Sequence, residues 1–278
     1  MTALGLLELF DQSDRRTVVE KQRRSLEAAR FADTEGYARV LVAEHHARLS
    51  PSASPIQWAT VLAARTERVR VGTGVSLLRL HDTYLTAVEY AALIAVAGDR
   101  VDAGLGRGDF RGPGGHRFNP YRKDDAELES AFAELRHLLL DGSESMPPVD
   151  DPPQFWLHGA STGSAAAAVR LGMRYCFGLF FQDDLDVAAS ALRYAADHHT
   201  PTALAVSVVA NRVPAEAHRD AAGVRDVALN VVGGLDECAE TVHRLVELTG
   251  ADEVILGELS SDTDDHLAAI SAIGKAIA

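Results

Sequence analysis

Short runs of apolar and β-branched residues alternate with longer amphipathic stretches along the whole chain. The runs predict strands over 3–10, 39–45, 69–78, 100–107, 154–160, 174–180, 202–210 and 253–260. Between them apolar residues recur three or four apart: Leu128, Phe132, Leu135 and Leu138, then Cys238, Val242 and Leu245, then Leu267, Ile270 and Ile273. That is the period of a helix burying one face. One helix per strand is the pattern of parallel βα units. Eight units in 278 residues come to about 35 residues each, close to the economy of a (β/α)8 TIM barrel. An open doubly wound sheet fits less well, because the first turn, Asp11, Gln12, Ser13 and Asp14, lacks the glycines of a dinucleotide fingerprint. The expectation is one α/β domain over 1–278. Its two longest strand-to-helix intervals are 108–125, with Gly112, Pro113, Gly114, Gly115 and Pro120, and 211–235. Long loops on the carboxyl side of a barrel are where substrates are handled.

Composition narrows the function classes. Lys and Arg number 27 against 40 Asp and Glu, a net charge of −13 that repels a phosphate backbone, so no nucleic-acid partner is expected. Hydrophobic residues make up 47%, enough for a sizeable core. Cys176 and Cys238 are the only cysteines, which argues against a disulfide framework and for a reduced, cytoplasmic setting. Residues 1–10 lack the basic start of a signal peptide, and no run approaches the roughly 18–20 apolar residues of a membrane span.

In a barrel, chemistry belongs at the carboxyl ends of strands. The second ends in Ala43, Glu44, His45 and His46. Adjacent strand residues face opposite ways, so His45 and His46 do not readily share one ion, and no metal is expected. One imidazole there is either a hydrogen-bonded loop residue or a general acid/base. The fourth strand ends in Gly104, Leu105, Gly106, Arg107 and Gly108: the glycines allow close backbone approach, and the guanidinium fork suits a phosphate. Its plain alternative is an arginine paired with a surface carboxylate. After the fifth strand, Ser161, Thr162 and Ser164 lead into an alanine-rich helix, where small hydroxylated residues cap the helix and help make an anion site. Neighbouring strands would let Arg107 and this helix start converge on one phosphate.

Taken in order, Ala43-Glu44-His45-His46, Val69-Arg70-Val71-Gly72-Thr73-Gly74, Arg100 through Gly108, Trp156-Leu157-His158-Gly159-Ala160-Ser161, Gly233 through Glu237 and Thr249 through Glu253 resemble the bacterial luciferase-like flavin monooxygenase family. The resemblance implies a (β/α)8 barrel with reduced FMN at its mouth as cosubstrate. It implies reaction of that flavin with O2, and a small organic substrate. By that resemblance Arg107, Ser161 and Ser164, with Thr162 as helper, hold the phosphate. Gly74 and Val75 lie against the flavin ring, joined by a non-prolyl cis peptide, and His45 is the mouth histidine. A separate NAD(P)H:flavin reductase is implied as partner, since no second nucleotide motif is present, and a homodimer is expected, with Leu26, Phe31, Ile56, Trp58 and Val61 on the early helices. Related barrels use a deazaflavin coenzyme instead, which is the alternative cofactor; a noncatalytic flavin-binding protein is a third reading. Arg79 and Thr83 stand where similar sequences often have proline. The segments 108–154 and 211–233 look shorter than usual, making this a compact variant. Arg79 and His81 are either substrate contacts or loop residues.

Overall fold

The computed structural model describes residues 2–10, 14–47, 50–110, 112, 114–225 and 227–277. Asp11, Gln12 and Ser13 of the first turn and Pro113 lie outside them. Among the described residues the chain runs β1 (Ala3–Glu8), α1 (Val18–Glu35), β2 (Arg39–Val42), α2 (Pro55–Ala63), β3 (Arg70–Thr73), α3 (Thr83–Ala97), β4 (Val101–Gly106) and α4 (Asp125–Leu140). It continues through β5 (Gln154–Gly159), α5 (Thr162–Leu171), β6 (Arg174–Gly178), α6 (Leu185–Asp197), β7 (Thr202–Asn211), α7 (Pro214–Ala221), β8 (Val231–Gly234), α8 (Leu235–Thr249), β9 (Glu253–Glu258) and α9 (Thr263–Ile277). Each of the eight expected strands overlaps an observed one, β7 running one residue further than expected.

The strands pair in parallel from β1 through β6, then β6 with β7, β7 with β9, and β9 with β1. That closes an eight-stranded ring with helices between successive strands, a (β/α)8 TIM barrel. The interval 211–235 is not the open loop that the sequence suggests. It holds α7 and the short strand β8. The carbonyl of Ala205 accepts from Leu179 N–H just past β6, and that of Ser207, on the same edge of β7, accepts from Asn230 just before β8. So β7 is shared along one edge, its lower half by β6 and its upper half by β8. Val-Val-Gly-Gly is too short and too glycine-rich to stand out as a strand.

Strict alternation divides the core in two. Val40, Val42, Leu204, Val206, Val254 and Leu256 face the helices, while Leu41, Ala43, Ala203, Ala205 and Ile255 face the barrel axis with Leu7, Leu9, Trp156 and Cys176. Low on the axis the inward positions are charged. Arg39 donates to Glu253 at 2.9 and 3.0 Å and to Asp102, and Arg70 Nε donates to Asp102 at 2.8 Å. The Arg39 guanidinium lies 4.7 Å above the Trp156 ring and that of Arg174 lies 5.5 Å from it. Trp156 and this network close the amino-terminal end.

β3 stops at Thr73, well short of the expected residue 78. Between the pairs Gly72–Asp102 and Ser76–Leu105, β3 contributes three residues and β4 two, a bulge that re-aims the strand exit. The Gly74–Val75 bond within it is cis. The backbones approach so closely there that a Cβ on Gly72 would collide with the carbonyl of Asp102, and one on Gly104 with that of Thr73. Among the described residues no helix is long and apolar enough to cross a membrane.

Candidate active site

The carboxyl ends of the strands form a mouth whose inner positions are small. Ala43 of the β2 exit, Gly74 of the β3 exit, Gly106 of β4, Gly178 of β6 and Gly257 of β9 all follow the inward phase. A Cβ on Gly74 would press on Leu7 and Leu41 at 2.9–3.0 Å, and one on Gly257 would meet Leu9. Trp156 fills the axis below, and above it the missing Cβ atoms make room for Leu7, Leu41, Val75 and Leu9, so the mouth has a closely packed floor.

His45 belongs to that mouth layer. Pairing persists beyond β2, with Ala43 N–H donating to Glu8 O and Glu44 N–H to Val75 O, both at 3.1 Å. The alternation therefore carries on, and His45, half-buried, keeps the phase of Leu41 and Ala43. Glu44 and His46 take the other phase, and here the sequence reading missed a cluster. The buried Glu44 accepts through Oε1 from His46 Nε2 at 2.6 Å and His81 Nε2 at 2.7 Å, and through Oε2 from Leu77 N–H at 2.7 Å. One carboxylate thus ties together the exits of β2 and β3 and the approach to α3. The spacing of Glu44 and His46 could have signalled half of it; His81 is distant in sequence. The ring of His46 packs 5.5 Å from Phe110 and 4.7 Å from Phe118, both from the β4–α4 connection. The three ligand-type atoms lie within 4.8 Å of one another, the one group among the described residues that could hold a metal ion. Hydrogen bonds alone satisfy the same carboxylate.

This latch is pH-sensitive. Burial disfavours the His81 cation, but the hydrogen bond and charge of Glu44 outweigh it and raise the pKa above 6.5. Burial also acts to raise Glu44, and the hydrogen bonds from His46 and His81 reverse that, leaving it below 4.5. A raised histidine contributes stability fully below its unfolded pKa and loses it as pH climbs through the folded value. A lowered carboxyl contributes above its unfolded pKa and loses it on acidification. The latch is therefore strongest between about pH 4.5 and 6.5. Thermal melts should show the gap between wild type and Glu44→Gln widest in that window and narrowing towards alkaline pH. A gap constant from low to high pH would exclude the assignment.

Arg107, just past β4, is half-exposed, and its Nη2 donates to Asp125 Oδ2 at 3.0 Å. The other oxygen of Asp125 accepts from Arg79, which also donates to the carbonyls of Arg107 at 3.2 Å and Lys123 at 2.6 Å. Arg79 is thus a tie between strand exits rather than a mouth residue, and His81 is a latch residue. On the neighbouring strand exit, Ser161 caps α5: its Oγ accepts from Ser164 N–H at 3.2 Å. The Ser164 hydroxyl is buried and turned inward, 2.7 Å from Ser161 O and 3.0 Å from Tyr175 OH. The first-turn N–H groups of Thr162 and Gly163, both exposed, have no intrahelical acceptor. Asp125, which the sequence reading overlooked, is the carboxylate that Arg107 and Arg79 share.

Comparison with known proteins agrees with this geometry. The family model for luciferase-like monooxygenases matches residues 2–274. The N-acetyl-S-alkylcysteine monooxygenase of Bacillus subtilis is 30% identical over 214 residues, covering 70% of this chain and 63% of that protein, so the match spans less than two thirds of the relative's length. The crystal structure of apo-MsnO8 superposes with a TM-score of 0.86 at 25% identity, covering 99% of this chain and 98% of the other. The oxygenating constituent of 3,6-diketocamphane monooxygenase from Pseudomonas putida shares the fold, with a TM-score of 0.77 at 15% identity and coverage of 100% and 98%. A ring of eight parallel strands, a glycine-lined mouth and a match over nearly all its length place the chain in the luciferase-like monooxygenase family.

Proposed function

We propose that the chain is a monooxygenase that takes reduced FMN from a separate NAD(P)H:flavin reductase and inserts one atom of O2 into a small organic substrate. The observation that carries this reading is the layer of small residues at the mouth, Ala43, Gly74, Gly106 and Gly257 above Trp156, with an arginine and a helix start at its edge. A planar ring would lie across that layer, and a phosphate would meet the edge. Support comes from the monooxygenase named among the relatives and from the Pseudomonas putida neighbour, which was solved in complex with FMN.

Bound reduced flavin supplies the electrons for oxygen activation. The chain's own groups do the rest. Arg107 and the N–H groups of Thr162 and Gly163 hold the phosphate, while Ser161 and Ser164 fix the first turn of α5 that presents them. Gly74 and Val75 form the wall against the ring, Leu9 and Leu41 exclude water, and His45 gives and takes a proton at the mouth. A homodimer would use the outer face of α2 and α3, where Val61, Leu85, Val88 and Val96 are exposed; of the other residues expected there, Ile56 is buried and Leu26, Phe31 and Trp58 pack against the core.

The test is a titration with FMN followed by oxygen uptake with reduced FMN. Binding and uptake are expected, and none with NADH alone. Arg107→Ala should weaken FMN by about 1.5–3 kcal/mol, the scale of a charge-assisted hydrogen bond. Asp125→Asn, which frees Arg107, should strengthen it. Unchanged affinity in both variants would move the phosphate elsewhere. A second reading has support from an F420-dependent secondary alcohol dehydrogenase of the same fold, with a TM-score of 0.79 at 14% identity. A deazaflavin would use the same mouth for hydride transfer without consuming oxygen, so oxygen uptake separates the two.

A further inference from the structure

The inward face of β5 carries Gln154, Trp156 and His158 in succession, and each keeps one buried polar atom with no hydrogen-bond partner: Oε1, Nε1 and Nε2. The first two lie low in the barrel, beside the arginine network. His158 is different. It stands level with Gly106 of β4 and Cys176 of β6, in the layer of small residues at the mouth. Its Nε2 is 3.2 Å from the place a Cβ on Gly104 would occupy, so the missing side chain on β4 is what makes room for the imidazole.

No hydrogen bond holds this ring and no carboxylate faces it. Burial, and then the positive charge of Arg39 below, push its pKa down to about 3. The imidazole is therefore neutral at any working pH, with one N–H to donate and one lone pair to accept. Buried polar groups in folded proteins are as a rule hydrogen-bonded, and an orphan at the mouth layer points to a missing partner. The heteroatom edge of an isoalloxazine alternates acceptors and donors, and so matches what a neutral imidazole offers.

We propose that His158 contacts the bound ring directly, as a neutral hydrogen-bond partner of its heteroatom edge. This rests on the reading that a flavin occupies the mouth. His45 and His158 then divide the work: the first exchanges protons, and the second, fixed in one protonation state, positions the ring and shifts its electronic properties.

The test titrates wild type, His158→Leu and His158→Gln with oxidised FMN, reading the dissociation constant and the visible absorption of the bound flavin. His158→Leu should bind about fivefold to tenfold more weakly, as expected for one lost neutral hydrogen bond. Its bound flavin should have a displaced visible band. His158→Gln, which keeps a donor and an acceptor, should restore most of both. The wild-type spectrum should not titrate between weakly acidic and weakly alkaline pH. Identical affinity and spectra in all three proteins overturn the proposal while leaving the flavin reading intact. A wild type that binds neither FMN nor a deazaflavin removes that reading, and the proposal with it. Should His158→Leu not fold, His158→Asn, polar but shorter, gives the same contrast against His158→Gln.

Discussion

Replacing His45 by alanine is expected to lower oxygenation by about a hundredfold to ten-thousandfold, the usual worth of a positioned general acid/base. FMN affinity should change little, since the proposed phosphate anchor is on the exits of β4 and β5, away from the end of β2. The loss should fall on the chemical step and not on binding. His46 supplies the internal control. It sits one residue away in the opposite phase, bound to Glu44 and packed on Phe118, so His46→Ala should loosen the latch and cost far less in rate. Steady-state oxygen uptake with a known substrate, with FMN binding measured alongside, decides the matter. Equal activity in wild type and His45→Ala would make this histidine part of the scaffold.

Asp102→Ala should be the most destabilising single change at the barrel floor, by about 3–5 kcal/mol, because it strands buried cations. Asp102 is fully enclosed and Arg39 is 3% exposed. Arg39 would keep Glu253, and Arg70 would keep the carbonyls of Asp99 and Val101, which favours the lower end of the range. The exposed Arg170–Glu129 pair, by contrast, sits in water, and removing it should cost about 0–1 kcal/mol. Urea denaturation of Asp102→Ala and Glu129→Ala side by side tests the ranking. Similar midpoints would mean that water reaches the floor.

The barrel could be read from the chain because most ring strands sit in short apolar or β-branched runs that break the helical period and recur with a helix between them. The inward and outward sets were harder to see. In strands buried on both faces, Val40 and Leu41 look alike, although one meets a helix and the other the axis. At the mouth, His45 and Arg107 stood out because polar residues ended apolar runs, and Ser161 because it preceded alanines. What stayed hidden was relational. Asp125 is one acid among many until Arg79 and Arg107 are seen to share it, and His81 has no meaning until the chain brings it to Glu44. The charged floor was hidden for the same reason: Arg39, Asp102 and Glu253 each look like a defect in a strand, and only closure of the ring makes them partners.

That floor also sets the traffic. With Trp156 and the Arg39 network stopping the barrel from below, the axis offers no rear passage, and whatever binds at the mouth arrives and leaves from one side. For the proposed pair of flavin and substrate that means a shared entrance, and substrate inhibition relieved by raising the flavin concentration is the kinetic signature expected of it.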